Sequence, residues 1–253
     1  MAEEQKGDQP RDEVFRSPPE GNVYGVADYR YGADVARVFD DMIVRSVPLY
    51  HEIQRMIGEM AADVVTPGSR VYDLGCSSGT TMLALDPAVT RDATFVGIDN
   101  SEDMLAKCRE KLGVHGFTRP YELQCLDLNQ GVHVENASLA LLVLTLQFIR
   151  PLNRERLMAD VFRGLKQNGA VILVEKVLGE DSHFNRLFIK YYYDMKRRNG
   201  YSETEIAHKR EALENVLVPY KLLENRELLL RTGFRYVDVF FKWYNYCGIV
   251  AIK

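Results

Sequence analysis

The chain has 253 residues, enough to bury roughly 70–75% of the surface its unfolded form exposes, so a core forms without disulfide or metal staples. Hydrophobic residues make up 46% and charged residues 27%, which excludes a wholly disordered, collagen-like or disulfide-scaffold chain. A net charge of -4 lacks the global positive field of a dedicated nucleic-acid binder, leaving room only for a local basic patch.

Residues 1–20 are polar and carry Pro10, Pro18 and Pro19, which predicts a mobile tail ahead of one folded unit over 21–253. Over 35–65, apolar residues such as Val38, Met42, Ile53, Ile57 and Met60 recur at near-helical spacing with a break at Pro48, which predicts two helices joined at Ser46-Val47-Pro48. A strand at Arg70-Val71-Tyr72-Asp73 runs into a Gly/Ser cluster and a short helix, and a second follows over Ala93-Thr94-Phe95-Val96-Gly97-Ile98-Asp99. Met104, Leu105, Cys108 and Leu112 mark a helix, and Tyr121-Glu122-Leu123-Gln124-Cys125 an extended segment. The apolar run 139–146 reads as a strand buried on both faces, followed by a helix over 153–165 and a fifth strand over 169–175.

This alternation predicts an α/β, Rossmann-like, mostly parallel and doubly wound sheet. A helical insertion over about 181–230 interrupts it, with Phe184, Leu187 and Phe188 expected to anchor its first helix in the core. Runs 236–241 and 245–252 then close the chain as an antiparallel hairpin joined at Lys242-Trp243-Tyr244.

Four dispersed cysteines read as reduced thiols. The five histidines, His51, His115, His133, His183 and His208, are scattered too, so no metal site is expected. The start lacks the apolar core of a signal peptide and no apolar run is long enough to cross a bilayer, which predicts a cytoplasmic protein.

The most specific local signal is Val71-Tyr72-Asp73-Leu74-Gly75-Cys76-Ser77-Ser78-Gly79-Thr80, a strand ending in an acid and then a small-residue turn into a helix. It departs from the G-x-G-x-x-G of dinucleotide sites, and Asp73 stands where it would repel a phosphate but accept bonds from an ammonium group. That favours S-adenosylmethionine over NAD. Asp99 ends the second strand, where a carboxylate accepts both ribose hydroxyls, and Asp127 follows the third, toward the adenine edge. Acids after three successive strands converge on one crevice.

With these residues the chain resembles class I methyltransferase-fold proteins and, more narrowly, the carboxy-S-adenosylmethionine synthase family. The narrower resemblance rests on Asp41-Met42-Ile43, Arg45-Ser46-Val47-Pro48 with Tyr50, Tyr72-Asp73-Leu74-Gly75-Cys76-Ser77, Ile98-Asp99-Asn100-Ser101, Glu135-Asn136-Ala137-Ser138, Thr145-Leu146-Gln147-Phe148, Asn199-Gly200-Tyr201-Ser202, and Lys209-Arg210 with Leu213-Glu214-Asn215-Val216. It implies conversion of S-adenosyl-L-methionine and prephenate to carboxy-S-adenosyl-L-methionine and phenylpyruvate. The product would serve a separate enzyme that modifies the wobble uridine of tRNA, so this chain itself need not touch nucleic acid. A homodimer is implied as well.

Carried over, the cofactor contacts fall on Tyr50, Gly75, Cys76, Ser77, Asp99, Asn100, Asp127, Leu128 and Arg210, with main-chain groups serving at Gly75, Cys76, Ser77 and Leu128. Val143 stands where the family has Asn and is left out of the site. Arg210 is the first choice for recognising the added carboxylate, since a guanidinium presents paired donors that match it. The plainer alternative places Lys209-Arg210 on a solvated helix face beside Glu205 and Glu211. Lys176, Arg197, Arg198 and Lys209 are unranked candidates for the carboxylates of prephenate, and Tyr191-Tyr192-Tyr193 with Tyr201 either shield a reactive sulfonium ylide from water or serve as core. Two other functions stay open: a conventional methyltransferase, and a non-catalytic nucleoside-binding partner.

Overall fold

Near-continuous apolar runs along the central strands fix the architecture, because such strands must be covered on both faces. A computed structural model describes residues 32–253; the expected tail at 1–20 lies outside them. Two helices, α1 (Ala33–Ser46) and α2 (Tyr50–Val64), are separated at Pro48, where Leu49 takes φ 52. Then come β1 (Ser69–Leu74), α3 (Thr80–Leu85), β2 (Ala93–Asp99), α4 (Glu102–Val114), β3 (Tyr121–Cys125), β4 (Ala137–Val143), α5 (Pro151–Gly164) and β5 (Leu165–Lys176). Three helices, α6 (Ser182–Arg198), α7 (Glu203–Ala212) and α8 (Leu222–Thr232), precede the hairpin of β6 (Tyr236–Trp243) and β7 (Tyr246–Ile252).

The sheet order is β3-β2-β1-β4-β5-β7-β6, with the first five strands parallel and β7 antiparallel to both β5 and β6. Val71, Leu139 and Ile172 turn to one face with Ile53 and Ile57 of α2 and Met82 of α3. Their chain neighbours Tyr72, Ala140 and Leu173 turn to the other, with Leu157 and Val161 of α5 and Leu228 of α8. This period of two gives each face its own apolar layer.

Three expectations need correction. The run 139–146 is not all strand: Leu144 takes φ 62, and Leu146–Phe148 coil into a 3-10 turn anchored from β5, where the Glu175 carboxylate accepts the Leu146 and Gln147 N–H groups at 3.0 and 2.8 Å. The hairpin link is Tyr244-Asn245, because Trp243 still pairs with Tyr246. Phe184 does not anchor α6 in the core. It is 55% exposed, since the first half of that helix leans on the hairpin, with Phe188 5.5 Å from Tyr244, while Tyr192 and Met195 further along are the apolar residues that go inside.

Arg154 of α5 is 1% exposed and ties the turn after β4 to the segment after α7. Its guanidinium donates to the carbonyls of Ile149 at 2.9 Å, Gln147 at 3.3 Å and Val218 at 2.6 Å, and lies 4.1 Å from the Tyr220 ring. Arg154→Leu leaves three carbonyls without this donor and is expected to cost about 3 kcal/mol in denaturant unfolding. A loss below about 1 kcal/mol would mean that water replaces the guanidinium freely.

Candidate active site at the carboxyl ends of the strands

Parallel strands end on one edge, so the residues closing β1, β2, β4 and β5 face a common crevice. At the end of β1, Gly75 takes φ +83 and a Cβ there would collide with Thr145, which follows β4. Glycine is therefore required twice over, by backbone conformation and by close approach. Ser77 takes φ 47, and Gly79 takes φ +77 against the Cys108 thiol. The amides of this turn are already engaged: Gly75 and Cys76 donate to the Ile98 carbonyl at 2.7 and 2.9 Å, and Ser77 donates to Asp99 at 3.0 Å. A phosphate-binding loop keeps such donors for its ligand. The sequence reading of the loop as not phosphate-binding has this physical basis, and main-chain donation from Gly75 and Cys76 to a ligand is closed off.

Acids line this end of the crevice. Asp73 is 2% exposed and neither carboxylate oxygen has a partner among the described residues; burial, aided by the charge of Asp99, pushes its pKa up to about 7. Asp99 is raised by burial as well, although it accepts the Ser77 and Ser101 N–H groups, each at 3.0 Å. A buried carboxylate without a donor is costly. Asp73 thus fits a cationic ligand group that completes it, and each oxygen of Asp99 retains a lone pair for a hydroxyl. Asp127 is exposed and accepts the N–H of Asn129 at 2.9 Å, opening a turn that buries Leu128. Tyr50, the first residue of α2, is buried, and burial with the charge of Asp73 pushes its phenol well above the usual range. Asn100 is exposed beside Asp99.

The loop has a support that sequence reading missed. Asp40 of α1 accepts from the Ser78 hydroxyl at 2.6 Å and pairs with Lys111 of α4 at 2.8 Å. Its only sequence signal was its place beside the quoted Asp41-Met42-Ile43. Cys76 behaves as expected of a small loop residue: it is a free, buried thiol whose pKa its contact with the Cys108 thiol, burial and nearby acids push up.

Two strand spacings away, about 10 Å along the edge, β5 ends at Lys176. There a cavity of about 250 Å³ opens beneath α6 and α7, with Lys176, Tyr192, Lys196, Lys209, Arg210 and Asn245 in its lining and, among the described residues, no Asp or Glu. Lys176 is held by its strand, and its own N–H donates to the Gln147 side chain at 2.9 Å. Lys209 is 7% exposed and its ammonium donates to the Ser46 hydroxyl at 2.9 Å, while that of Lys196 lies 4.5 Å from the Tyr201 ring.

The structure therefore ranks the cationic candidates. Lys176 and Lys209 line the cavity, whereas Arg197 pairs with Asp194 and Glu203 on the surface and Arg198 is exposed. Lys209 does not lie on a solvated face, but its neighbour Arg210 is exposed, in the last turn of α7 on the cavity rim. Tyr50, Gly75, Cys76, Ser77, Asp99, Asn100, Asp127 and Leu128 gather around the ends of β1, β2 and β3; Arg210, on α7, lies in the lining of the β5 cavity. Lys196 and Asn245 were missed, because a helix lysine and a hairpin-turn asparagine carry no motif. Among the described residues no cluster of His, Cys, Asp and Glu could hold a metal ion.

Comparison with known proteins bears on the family and the fold. Residues 71–169 match the model of a methyltransferase domain. The carboxy-S-adenosyl-L-methionine synthase of Methylococcus capsulatus (strain Bath) is 62% identical over 96% of this chain and 99% of that protein. That of Helicobacter pylori is 43% identical over 87% and 92%. Among solved structures, human N-acetylserotonin methyltransferase in complex with S-adenosylmethionine superposes with TM-score 0.60 at 18% identity, over 95% of this chain and 61% of that one. Magnesium protoporphyrin IX methyltransferase from Synechocystis gives 0.58 at 16%, over 85% and 94%. These two likenesses speak for the fold, a class I methyltransferase Rossmann-like sheet.

The raised pKa of Asp73 has a consequence for stability. Between its unfolded value of 3.8 and its folded value of about 7 the native state holds the extra proton, so the contribution of this group falls as pH rises through that window. Asp73→Asn is therefore expected to stabilise the ligand-free protein at pH 8, by on the order of 1.4 kcal/mol for each unit of raised pKa, and to leave it nearly unchanged near pH 4. Denaturant midpoints at the two pH values test this; equal effects at both would contradict it.

Proposed function

The chain belongs to the carboxy-S-adenosyl-L-methionine synthase family, and from that premise we propose how the two halves of its strand-end edge divide the reaction. The enzyme is a transferase that uses S-adenosyl-L-methionine. Bound there, S-adenosylmethionine supplies a methyl group whose C–H bonds are acidified by the adjacent sulfonium. In this reading Asp73 completes its hydrogen bonding on the methionyl ammonium, Asp99 accepts the ribose hydroxyls, and Tyr50, Ser77, Asn100, Asp127 and Leu128 close around the nucleoside. Gly75 and Cys76 contribute shape and carbonyl oxygens, their N–H groups being taken by Ile98. Val143, half-buried against the core, contributes no polar contact.

The carboxyl donor in this reading is prephenate, a dianion. Its ring loses carbon dioxide and hydroxide and becomes phenylpyruvate; the hydroxide takes one methyl proton and leaves as water, and the carboxyl group bonds to that carbon. The balance needs no side-chain base, which suits a site without an assembled nucleophile, histidine and acid. The observation that carries the reading is the segregation of charge along the edge. Acids surround the place for a cation, and about 10 Å away a cavity walled by three lysines and Arg210 has, among the described residues, no acid to oppose a dianion. Arg210 on the rim is the group for the new carboxylate, offering a bidentate match to a negative charge that a plain methyl donor lacks.

The reading extends to a homodimer in the cytoplasm whose product a separate enzyme consumes in wobble-uridine modification of tRNA, and it treats 21–253 as one methyltransferase-like unit with α6 to α8 inserted. Among the described residues no helix is long and apolar enough to cross a membrane.

Incubation with S-adenosylmethionine and prephenate is expected to yield a nucleoside heavier by one carbon dioxide by mass spectrometry. Transfer of labelled methyl groups to an acceptor, independent of prephenate, would establish a conventional methyltransferase instead. Arg210→Ala is expected to weaken binding of the carboxylated nucleoside about tenfold in calorimetry, the lower end for a charge-assisted bond because the guanidinium is exposed, and to affect S-adenosylmethionine less. Equal losses for the two ligands would remove Arg210 from that role.

A further inference from the structure

We propose that Lys176 and Asn245 form the seat for the carboxylate that the substrate keeps, the one on its 2-oxo acid side chain, in the cavity beneath α6 and α7. This rests on the carboxyl-transfer reading above and assigns one end of the donor to named residues.

The two residues meet across β5 and β7. Lys176 pairs with Tyr246, the residue after Asn245, and the Asn245 carbonyl accepts the Val177 N–H at 2.8 Å. Asn245 is 1% exposed, yet neither its amide nitrogen nor its amide oxygen has a partner among the described residues. A buried amide left in that state carries its full desolvation penalty, so its presence in a cavity wall points to a ligand that relieves it. Lys176 is the second, independent observation. Its ammonium lies 4.8 Å from the Tyr192 ring and meets no carboxylate among the described residues, and burial alone pushes its pKa down. An anion placed between the two residues restores the ammonium and takes the amide N–H. The other buried lysines of the cavity are engaged within the protein, Lys209 with Ser46 and Lys196 with Tyr201.

Chemistry decides which carboxylate sits there. A strong ion pair on the group that departs as carbon dioxide would stabilise the ground state and oppose its loss. The 2-oxo acid carboxylate bears the same charge in substrate, transition state and product, so holding it tightly binds all three alike and leaves the chemical step unhindered.

The test is steady-state kinetics of the full chain at saturating S-adenosylmethionine, with prephenate varied and phenylpyruvate as product inhibitor. Lys176→Met keeps the stem and removes the charge. It is expected to raise the KM for prephenate and the inhibition constant for phenylpyruvate together, by about ten- to a hundredfold, with kcat within about threefold and binding of S-adenosylmethionine unchanged. Asn245→Ala should move both constants the same way by a smaller factor, and Lys176→Arg should recover part of the loss. If the wild-type protein makes no carboxylated nucleoside, the reaction assigned above fails and the seat with it. If it does, and Lys176→Met leaves both constants in place or lowers kcat at unchanged KM, the seat alone is wrong. Should Lys176→Met fail to fold, Asn245→Ala decides by the same criterion.

Discussion

Two buried carboxylates on neighbouring strands constrain everything built around them. Asp73 and Asp99 close β1 and β2 inside the protein, burial makes both costly to charge, the charge of Asp99 adds to that cost at Asp73, and Asp73 has no donor among the described residues. Such a pair is unfavourable as structure and favourable as a receptor, because a ligand that brings a cation and hydroxyl donors converts the penalty into affinity. The rest of the edge follows the same logic with the sign reversed. Among the described residues, Lys176 at the end of β5 is desolvated without a counter-ion, and the side-chain amide of Asn245 beside it lacks partners. Stability is thus given up at two places about 10 Å apart, where opposite charges are to be brought together.

Rigid supports keep those places apart and in register. Gly75 lets β1 approach Thr145 as no other residue would, so the end of β1 and the turn after β4 touch. Glu175, whose carboxyl burial pushes up to about 8, accepts the two N–H groups that open that turn, and Gln147 within it holds the backbone of Lys176. Arg154 binds the same turn to Val218, next to the cavity wall at Leu217 and Pro219. The acidic and basic halves therefore share one set of hydrogen bonds through the turn after β4. Asp40 reaches from α1 to the Ser78 hydroxyl and fastens the cofactor loop from outside the sheet.

Much of this was legible in the sequence because it is written in local pattern. The apolar, β-like runs of β1, β2 and β5, the small residues after Asp73 and the acids ending successive strands need no tertiary information, and they placed the sheet and the acidic half. The basic half was only partly legible. Lys176 and Lys209 stood among four candidates that spacing alone does not rank, since what separates them from Arg197 is burial beneath helices that fold back over β5. Asn245 has no motif, and its meaning comes wholly from its missing partners. Phe184 shows the converse error: helical spacing identifies an apolar stripe but not how far along the helix its cover extends. The strand expected over 139–146 failed at Leu144 because an apolar run does not register a left-handed turn.

A crystal structure with S-adenosylhomocysteine and phenylpyruvate bound together tests the division of charge most directly. The expected result has the ribose on Asp99, the ammonium against Asp73, and the 2-oxo acid in the β5 cavity with its carboxylate between Lys176 and Asn245. A 2-oxo acid bound elsewhere, or a nucleoside occupying the lysine-walled cavity, would contradict it.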